Sequence, residues 1–109
     1  MVATFEVLAD ESRRRILDAL VEEERPVGEL ADILVLSQPS VSKHLKVLRD
    51  AGLVEARTDA QRRIYRVRPE PLREIDEWLA PYRRRWAEHL NALERHLEFM
   101  DGDEEEAWT

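Results

Sequence analysis

The sequence predicts a mostly α-helical fold with one small β-hairpin. Three observations carry that reading. Apolar residues recur at spacings of three and four over most of the 109 residues. The period changes to strict alternation in one place only, between Val54 and Arg68. That change follows directly on two helical segments joined by a brief turn.

In chain order, Phe5, Val7 and Leu8 suggest a short first helix. Asp10 is placed to cap a second, from Glu11 to about Val21, with Ile16, Leu17 and Leu20 facing inward. Arg13, Arg14 and Arg15 open it and read as a solvated face, a phosphate contact being the alternative. The polar stretch from Glu22 to Pro26 ends this helix. Gly28 to Leu34 is a short third helix with Leu30, Ile33 and Leu34 apolar, and Val35 to Ser37 is a tight turn.

The segment from Leu36 to Leu53, LSQPSVSKHLKVLRDAGL, is the next helix. Ser37 is a good N-cap, because its hydroxyl can accept a backbone N–H that the first turn leaves unpaired. Pro39 fits a first turn, where no N–H is needed. Val41, Leu45 and Leu48 make one apolar stripe, and Gly52 is a natural C-terminal stop. The opposite side carries Gln38, Ser42, Lys46 and Arg49, with Lys43 beside them. An amide can pair with adenine, hydroxyls with a base edge or phosphate, and lysines with guanine or phosphate. Taken alone, this helix is equally an ordinary amphipathic helix with a basic solvated face.

Its neighbours favour the DNA reading. Val54, Ala56 and Thr58 alternate with Glu55, Arg57 and Asp59. On the return, Arg63, Tyr65 and Val67 alternate with Arg62, Ile64, Arg66 and Arg68. Asp59, Ala60 and Gln61 form the turn, without the Asn-Gly or Asp-Gly pair that marks the tightest hairpins. A short helix, a turn, a polar-faced helix and then a basic hairpin make a winged helix-turn-helix, with the hairpin placed to grip flanking backbone or minor groove.

Pro69 and Pro71 close the hairpin. From about Leu72 to Met100, Leu72, Ile75, Leu79, Tyr82, Trp86, His89, Leu93, His96 and Met100 step by three and four residues, with Leu90 and Leu97 widening the seam. Pro81 should kink or break this helix between Ala80 and Tyr82. The small winged region cannot bury so long a stripe. A two-fold partner would, so the sequence predicts a homodimer with Leu79, Tyr82, Trp86, His89, Leu93, His96 and Leu97 in the interface, joined by Phe5 and Leu8. Three segments result: residues 1–68 for DNA binding, 69–100 for dimerisation, and 101–109 as an acidic disordered tail.

The formal net charge of -7 looks wrong for a partner of DNA, but its distribution matters more. Between Ser37 and Arg68 eight bases face three acids, whereas Asp101 to Thr109 holds five acids and no base. The chain has no cysteine, which removes disulfides, thiolate metal sites and cysteine nucleophiles together. No apolar run approaches a membrane span and the N-terminus lacks the apolar core of a signal peptide, so a cytoplasmic protein without a membrane partner is expected. No Ser-His-Asp spacing, Gly-rich phosphate loop or paired-carboxylate pocket presents itself, which argues against an enzyme.

The segments LADESRRRILDAL, VGELADIL, LSQPSVSKHLKVLRDAGLV, the Arg-rich hairpin and WLAPYRRRW together resemble the ArsR-type (ArsR/SmtB) family of bacterial winged-helix repressors. The resemblance runs to about Met100 and is most specific at SQPSVSKHLKVLRDAGLV. It implies a homodimer whose paired recognition helices read a two-fold symmetric operator in double-stranded DNA and repress by blocking a promoter. Carried over by position, Gln38, Pro39, Ser42, Lys43 and His44 lie at or near the DNA. His44 is equally a packing or capping residue. Ser40 joins Gln38 and Ser42 in base choice, while Lys43, Lys46, Arg57, Arg62 and Arg63 supply salt-dependent affinity.

Many members of the family sense metals through a Cys-x-Cys-type pair, which this chain lacks. Others bind metal between the C-terminal helices of the dimer. Here only His89 and His96, seven residues apart with Glu88 and Asp101 as supporting acids, are weak candidates, and the characteristic Asp-x-His pair is missing. The expectation is a protein without metal or cofactor whose effector, if any, the sequence does not identify. Two alternatives stay open: a metal-responsive repressor using His89 and His96, and a winged helix that docks a protein through Trp78, Trp86 and the seam without binding DNA.

Overall fold

The computed structural model describes residues 2–99. Helices α1 (Val2–Leu8), α2 (Glu11–Glu22), α3 (Val27–Leu34), α4 (Gln38–Asp50) and α5 (Glu70–Phe99) are joined by strands β1 (Arg25–Pro26), β2 (Val54–Asp59) and β3 (Arg62–Val67). The strands form an antiparallel sheet in the order β1-β3-β2. The chain divides into two compact units between Ile75 and Asp76, within α5. The tail from Asp101 to Thr109 lies outside the described residues.

The first unit is built around α4. Val41, Leu45 and Leu48, the stripe expected from spacing, are completely buried, as are Ile16 of α2, Leu30 of α3 and Leu53 after the helix. Ser37 caps α4 through its Oγ, which accepts the N–H of Ser40 at 3.3 Å. At the other end Gly52 adopts φ 76°, and Leu53 N–H reaches back to the Leu48 carbonyl at 2.9 Å. That left-handed residue satisfies the last carbonyls of α4 and turns the chain towards β2 with Leu53 inside. Asp10 caps α2 by accepting the Arg13 N–H at 3.1 Å.

Four readings need correction. The stretch after α2 is not merely polar coil: Arg25 and Pro26 pair with Tyr65 and Ile64 as a third strand. Arg25 fixes it there, donating from Nε to the Ala19 carbonyl at 3.0 Å with its side chain only 11% exposed. Two residues are too short for a period to appear in sequence. Ile33 is exposed and Ala31 buried in its place, so the apolar face of α3 is rotated from the one its large residues suggest. Arg13, Arg14 and Arg15 are not simply solvated. They donate to the carbonyls of Val7 (3.4 Å), Leu8 (2.7 Å) and Leu34 (3.3 Å), completing the C-terminal ends of α1 and α3. Finally, Pro81 does not break the last helix, which runs continuously from Glu70 to Phe99. A proline removes one N–H donor and crowds one carbonyl, and the intact turns on either side hold the helix through it.

The turn of the hairpin is tighter than expected. Asp59 pairs with Arg62, leaving only Ala60 and Gln61 as the loop, and Ala60 takes the positive φ of 58° that such a turn requires. Ile64, grouped in sequence with the exposed arginines, is 5% exposed because β1 lies beside it.

Candidate nucleic-acid interface

The outward face of α4 and the hairpin lie side by side. Ser42, Lys46 and Arg49 of α4 and Arg62, Arg63 and Tyr65 of β3 line a shared groove of about 670 Å³, with Pro26, Val27 and Gly28 also in its wall. Chain order explains the juxtaposition. Gly52 reverses the chain at the end of α4, and Arg68 N–H bonds the Leu53 carbonyl at 2.8 Å, clamping both ends of the hairpin to the helix terminus.

Each expected side chain can be placed. Gln38, Pro39, Ser42, Lys43 and Lys46 are exposed on α4, and Ser40 and His44 are half-buried at its edge. Gln38 stands at the N-terminal end, where its Nε2 lies 3.5 Å from the position a Cβ on Gly28 would occupy. A side chain at Gly28 would therefore meet only the end of Gln38. Arg62 and Arg63 are exposed on β3. Arg63 lies over the Tyr65 ring, 5.7 Å from its centre, a cation–π contact that holds its stem towards the groove.

The charges are not all equally available. Arg57 is bound to Glu24 at 2.7 Å, and Lys46 to Asp50 at 3.0 Å. Arg66 pairs with Glu55, and Arg68 with Glu55 and Glu70. Among the described residues Lys43, Arg49, Arg62 and Arg63 have no acid partner. The Arg57 guanidinium holds the Glu24 carboxyl below the ordinary glutamate range, chiefly through their hydrogen bond. Asp10 is likewise held low, first by the Arg13 N–H it accepts, against the opposing effect of desolvation, and then to a lesser degree by the charges of His44 and Arg13.

Three groove residues with polar side chains, Arg49, Gln61 and Tyr65, are not among those expected at the interface from sequence. Arg49 was recognised on the polar face but not assigned to the interface. Gln61 and Tyr65 were read only as turn and strand. The two-residue loop and the packing of β3 against β1 bring them round, and neither feature has a signature in composition.

The metal candidates fare differently. His89 and His96 are both exposed on α5, and no group of three or more histidine, aspartate or glutamate side chains that could hold a metal gathers among the described residues. Asp101 lies outside them. No described helix is long and apolar enough to cross a membrane.

A polar-faced helix in a helix-turn-helix, flanked by a basic hairpin, defines a winged helix-turn-helix protein. The family model for bacterial regulatory proteins of the arsR family matches residues 10–56, from the α2 cap through the first half of β2. The chain is 46% identical over 68 residues to the HTH-type transcriptional regulator Rv2034 of Mycobacterium tuberculosis, a match covering 62% of this chain and 64% of that protein. It is 38% identical over 96 residues to the arsenic resistance transcriptional regulator ArsR1 of Pseudomonas putida, covering 77% of this chain and 75% of the other. Among solved structures it resembles the homodimeric winged helix-turn-helix DNA-binding domain Mb0332 of Mycobacterium bovis, with a TM-score of 0.64 and 30% identity over 81% of this chain and 82% of that one. The chain belongs to the ArsR family of bacterial regulatory proteins. The matched segment spans just under two thirds of the length of the Mycobacterium tuberculosis relative. These relatives are named as transcriptional regulators and not as enzymes.

Proposed function

We propose that this chain is a sequence-specific DNA-binding transcriptional regulator, acting as a homodimeric repressor on a two-fold symmetric operator. One observation carries the reading: α4 and the hairpin together present four cations without acid partners around a single groove and helix face. Lys43, Arg49, Arg62 and Arg63 supply phosphate contacts. Gln38 and Ser42 offer the amide and hydroxyl that distinguish bases, each good bidentate contact being worth ~1–3 kcal/mol, while the half-buried Ser40 at the helix edge offers a hydroxyl to the backbone.

The dimer follows from α5. Tyr82, Trp86, Leu90, Leu93 and Leu97 are 45–62% exposed along it. Large apolar side chains repeated along a helix at this exposure mark an interface. A second copy satisfies a two-fold operator, and the Mb0332 domain is itself homodimeric. The pair would set two recognition helices about one DNA turn apart, ~34 Å. Leu79 is half-buried, and Tyr82, Trp86, His89, Leu93, His96 and Leu97 are exposed along the same helix. Phe5 and Leu8 sit on α1, the first exposed and the second half-buried. On this reading residues up to 68 bind DNA and the last helix dimerises.

A gel-shift titration on the DNA just upstream of the chain's own coding sequence, at two salt concentrations and with and without chelator, tests the reading. Salt-sensitive, sequence-selective binding that chelator leaves unchanged is expected. Replacing Arg62 and Arg63 with alanine should reduce affinity at least tenfold while the fold persists. Wild-type protein without sequence preference on any duplex would overturn the regulator reading and leave a protein-docking winged helix in its place.

A further inference from the structure

Resting on the DNA-binding reading, we infer that the flank of α4 away from the hairpin carries a second anchor for a DNA phosphodiester, built by Arg13, Ser40, Lys43 and His44. The groove with the hairpin takes up one flank of α4, at Ser42, Leu45 and Arg49. A second concavity of about 390 Å³ lies along Ser40, Lys43, His44 and Val47, with Arg13 of α2 in its lining and Lys46 shared between it and the hairpin groove. At about 100° of rotation per residue, the centres of Ser42–Leu45–Arg49 and Ser40–Lys43–His44–Val47 stand roughly 175° apart around the helix. Lys46 lines both, on the side opposite the buried stripe of Val41, Leu45 and Leu48.

That division matches the shape of the target. A helix in the major groove, about 12 Å wide, has one phosphate backbone on each side. The hairpin arginines can serve only the strand on their own side. The opposite strand runs along the Ser40–Lys43–His44 flank, where positive charge is again concentrated.

Arg13 lies on α2, outside the helix-turn-helix pair, and of Arg13, Arg14 and Arg15 it is the one that lines the concavity. Its Nη1 donates to the Val7 carbonyl at 3.4 Å, which fixes the guanidinium beside the concavity. Its Nε is buried with no hydrogen-bond partner among the described residues, so a phosphate contact falls to the Nη groups, of which Nη1 already donates to Val7. The nearest acid, Asp10, is occupied in capping α2, its carboxylate accepting the Arg13 N–H. His44, half-buried in the lining, lowers the Asp10 carboxyl through its charge. A cation, a hydroxyl, an imidazole and a lysine around one opening make a receptor for a phosphodiester oxygen, which carries no sequence information.

Fluorescence-anisotropy titrations over a salt series, on the duplex bound in the gel shift and on an unrelated duplex of equal length, test the anchor. Arg13→Gln should weaken binding to both duplexes by about the same factor, three- to tenfold, leaving their ratio unchanged. The slope of log affinity against log salt should fall by ~0.9, the loss of one neutralised phosphate. Arg13→Lys should restore most of the slope, although it cannot reproduce the clamp on Val7. Lys43→Gln, which breaks no intramolecular contact among the described residues, should lower the slope by a similar amount. An unchanged slope in Arg13→Gln with a reduced melting temperature would overturn the proposal and leave Arg13 as a cap for α1. So would a change in the ratio between the two duplexes. Wild-type protein that binds neither duplex would instead remove the DNA reading on which the anchor rests.

Discussion

Val35 is the residue where local preference and tertiary need disagree most openly. It ends α3 with φ 57°, a left-handed conformation that a β-branched side chain rarely adopts. The geometry is needed because Leu36 N–H must return to the Ala31 carbonyl at 3.1 Å, closing α3 just before α4 is capped by Ser37. Val35 is 86% exposed, so its side chain contributes little burial to offset the strain. Val35→Gly should therefore stabilise the fold by about 1 kcal/mol, seen as a raised denaturation midpoint with an unchanged slope. Asp10 gives a pH prediction. Its carboxyl titrates below the ordinary aspartate value in the folded chain, through the hydrogen bond from Arg13 N–H first. A depressed folded value means that the stabilisation is present above the unfolded value, ~3.9, and lost as pH falls through the folded one. Asp10→Asn keeps a capping oxygen but removes the titration. The acid limb of its stability curve should be flatter than wild type, and an equally steep limb would show that Asp10 is not the group responsible.

Among the elements, the hairpin has the most to gain from altered contacts. Arg57 and Glu24 join β2 to the residues just before β1, so an arginine read from sequence as a DNA contact is held by an acid of its own chain. An exposed pair of this kind adds little to stability, but it lowers the positive charge that a phosphate would meet. Glu24→Gln should free Arg57 and increase affinity for DNA of any sequence at low salt, with a smaller gain at high salt. An anisotropy titration on an unrelated duplex measures this directly. Helix α5 teaches the complementary lesson. Its seam was legible because three- and four-residue spacing survives in the sequence from Leu72 onward. Its continuity through Pro81 was not, because a proline specifies one missing donor and not whether the neighbouring turns tolerate it.

For the whole molecule, the decisive question is what covers α5. Leu90 and Leu93 are 62% and 46% exposed. Replacing both with glutamate should leave the winged unit folded, since its buried core lies in α2, α3, α4 and the sheet. Sedimentation equilibrium should then show a monomer, where a dimer is the expected result for the wild type. Operator affinity should fall more than a hundredfold, while weak non-specific binding persists. A variant that stayed dimeric would move the interface elsewhere on the chain. A dimer also gives the charge distribution a purpose. Two basic faces would meet the operator together, although each chain is acidic overall.

The sequence by itself determined the order of the helices and the hairpin, the buried stripe of α4, its caps at Ser37 and Gly52, and the identity of the basic hairpin. All of these rest on spacing or on the chemistry of one residue near its own backbone, and both are local. Tertiary structure decided what is joined to what. It paired Arg25 and Pro26 with β3, buried Ile64 and Ala31, and turned Arg13, Arg14 and Arg15 into caps for other helices. It also separated the cations held by Glu24, Glu55 and Asp50 from those left to meet a ligand. An ion pair between residues 24 and 57 depends on where two distant segments come to lie, and no periodicity along the chain encodes that distance.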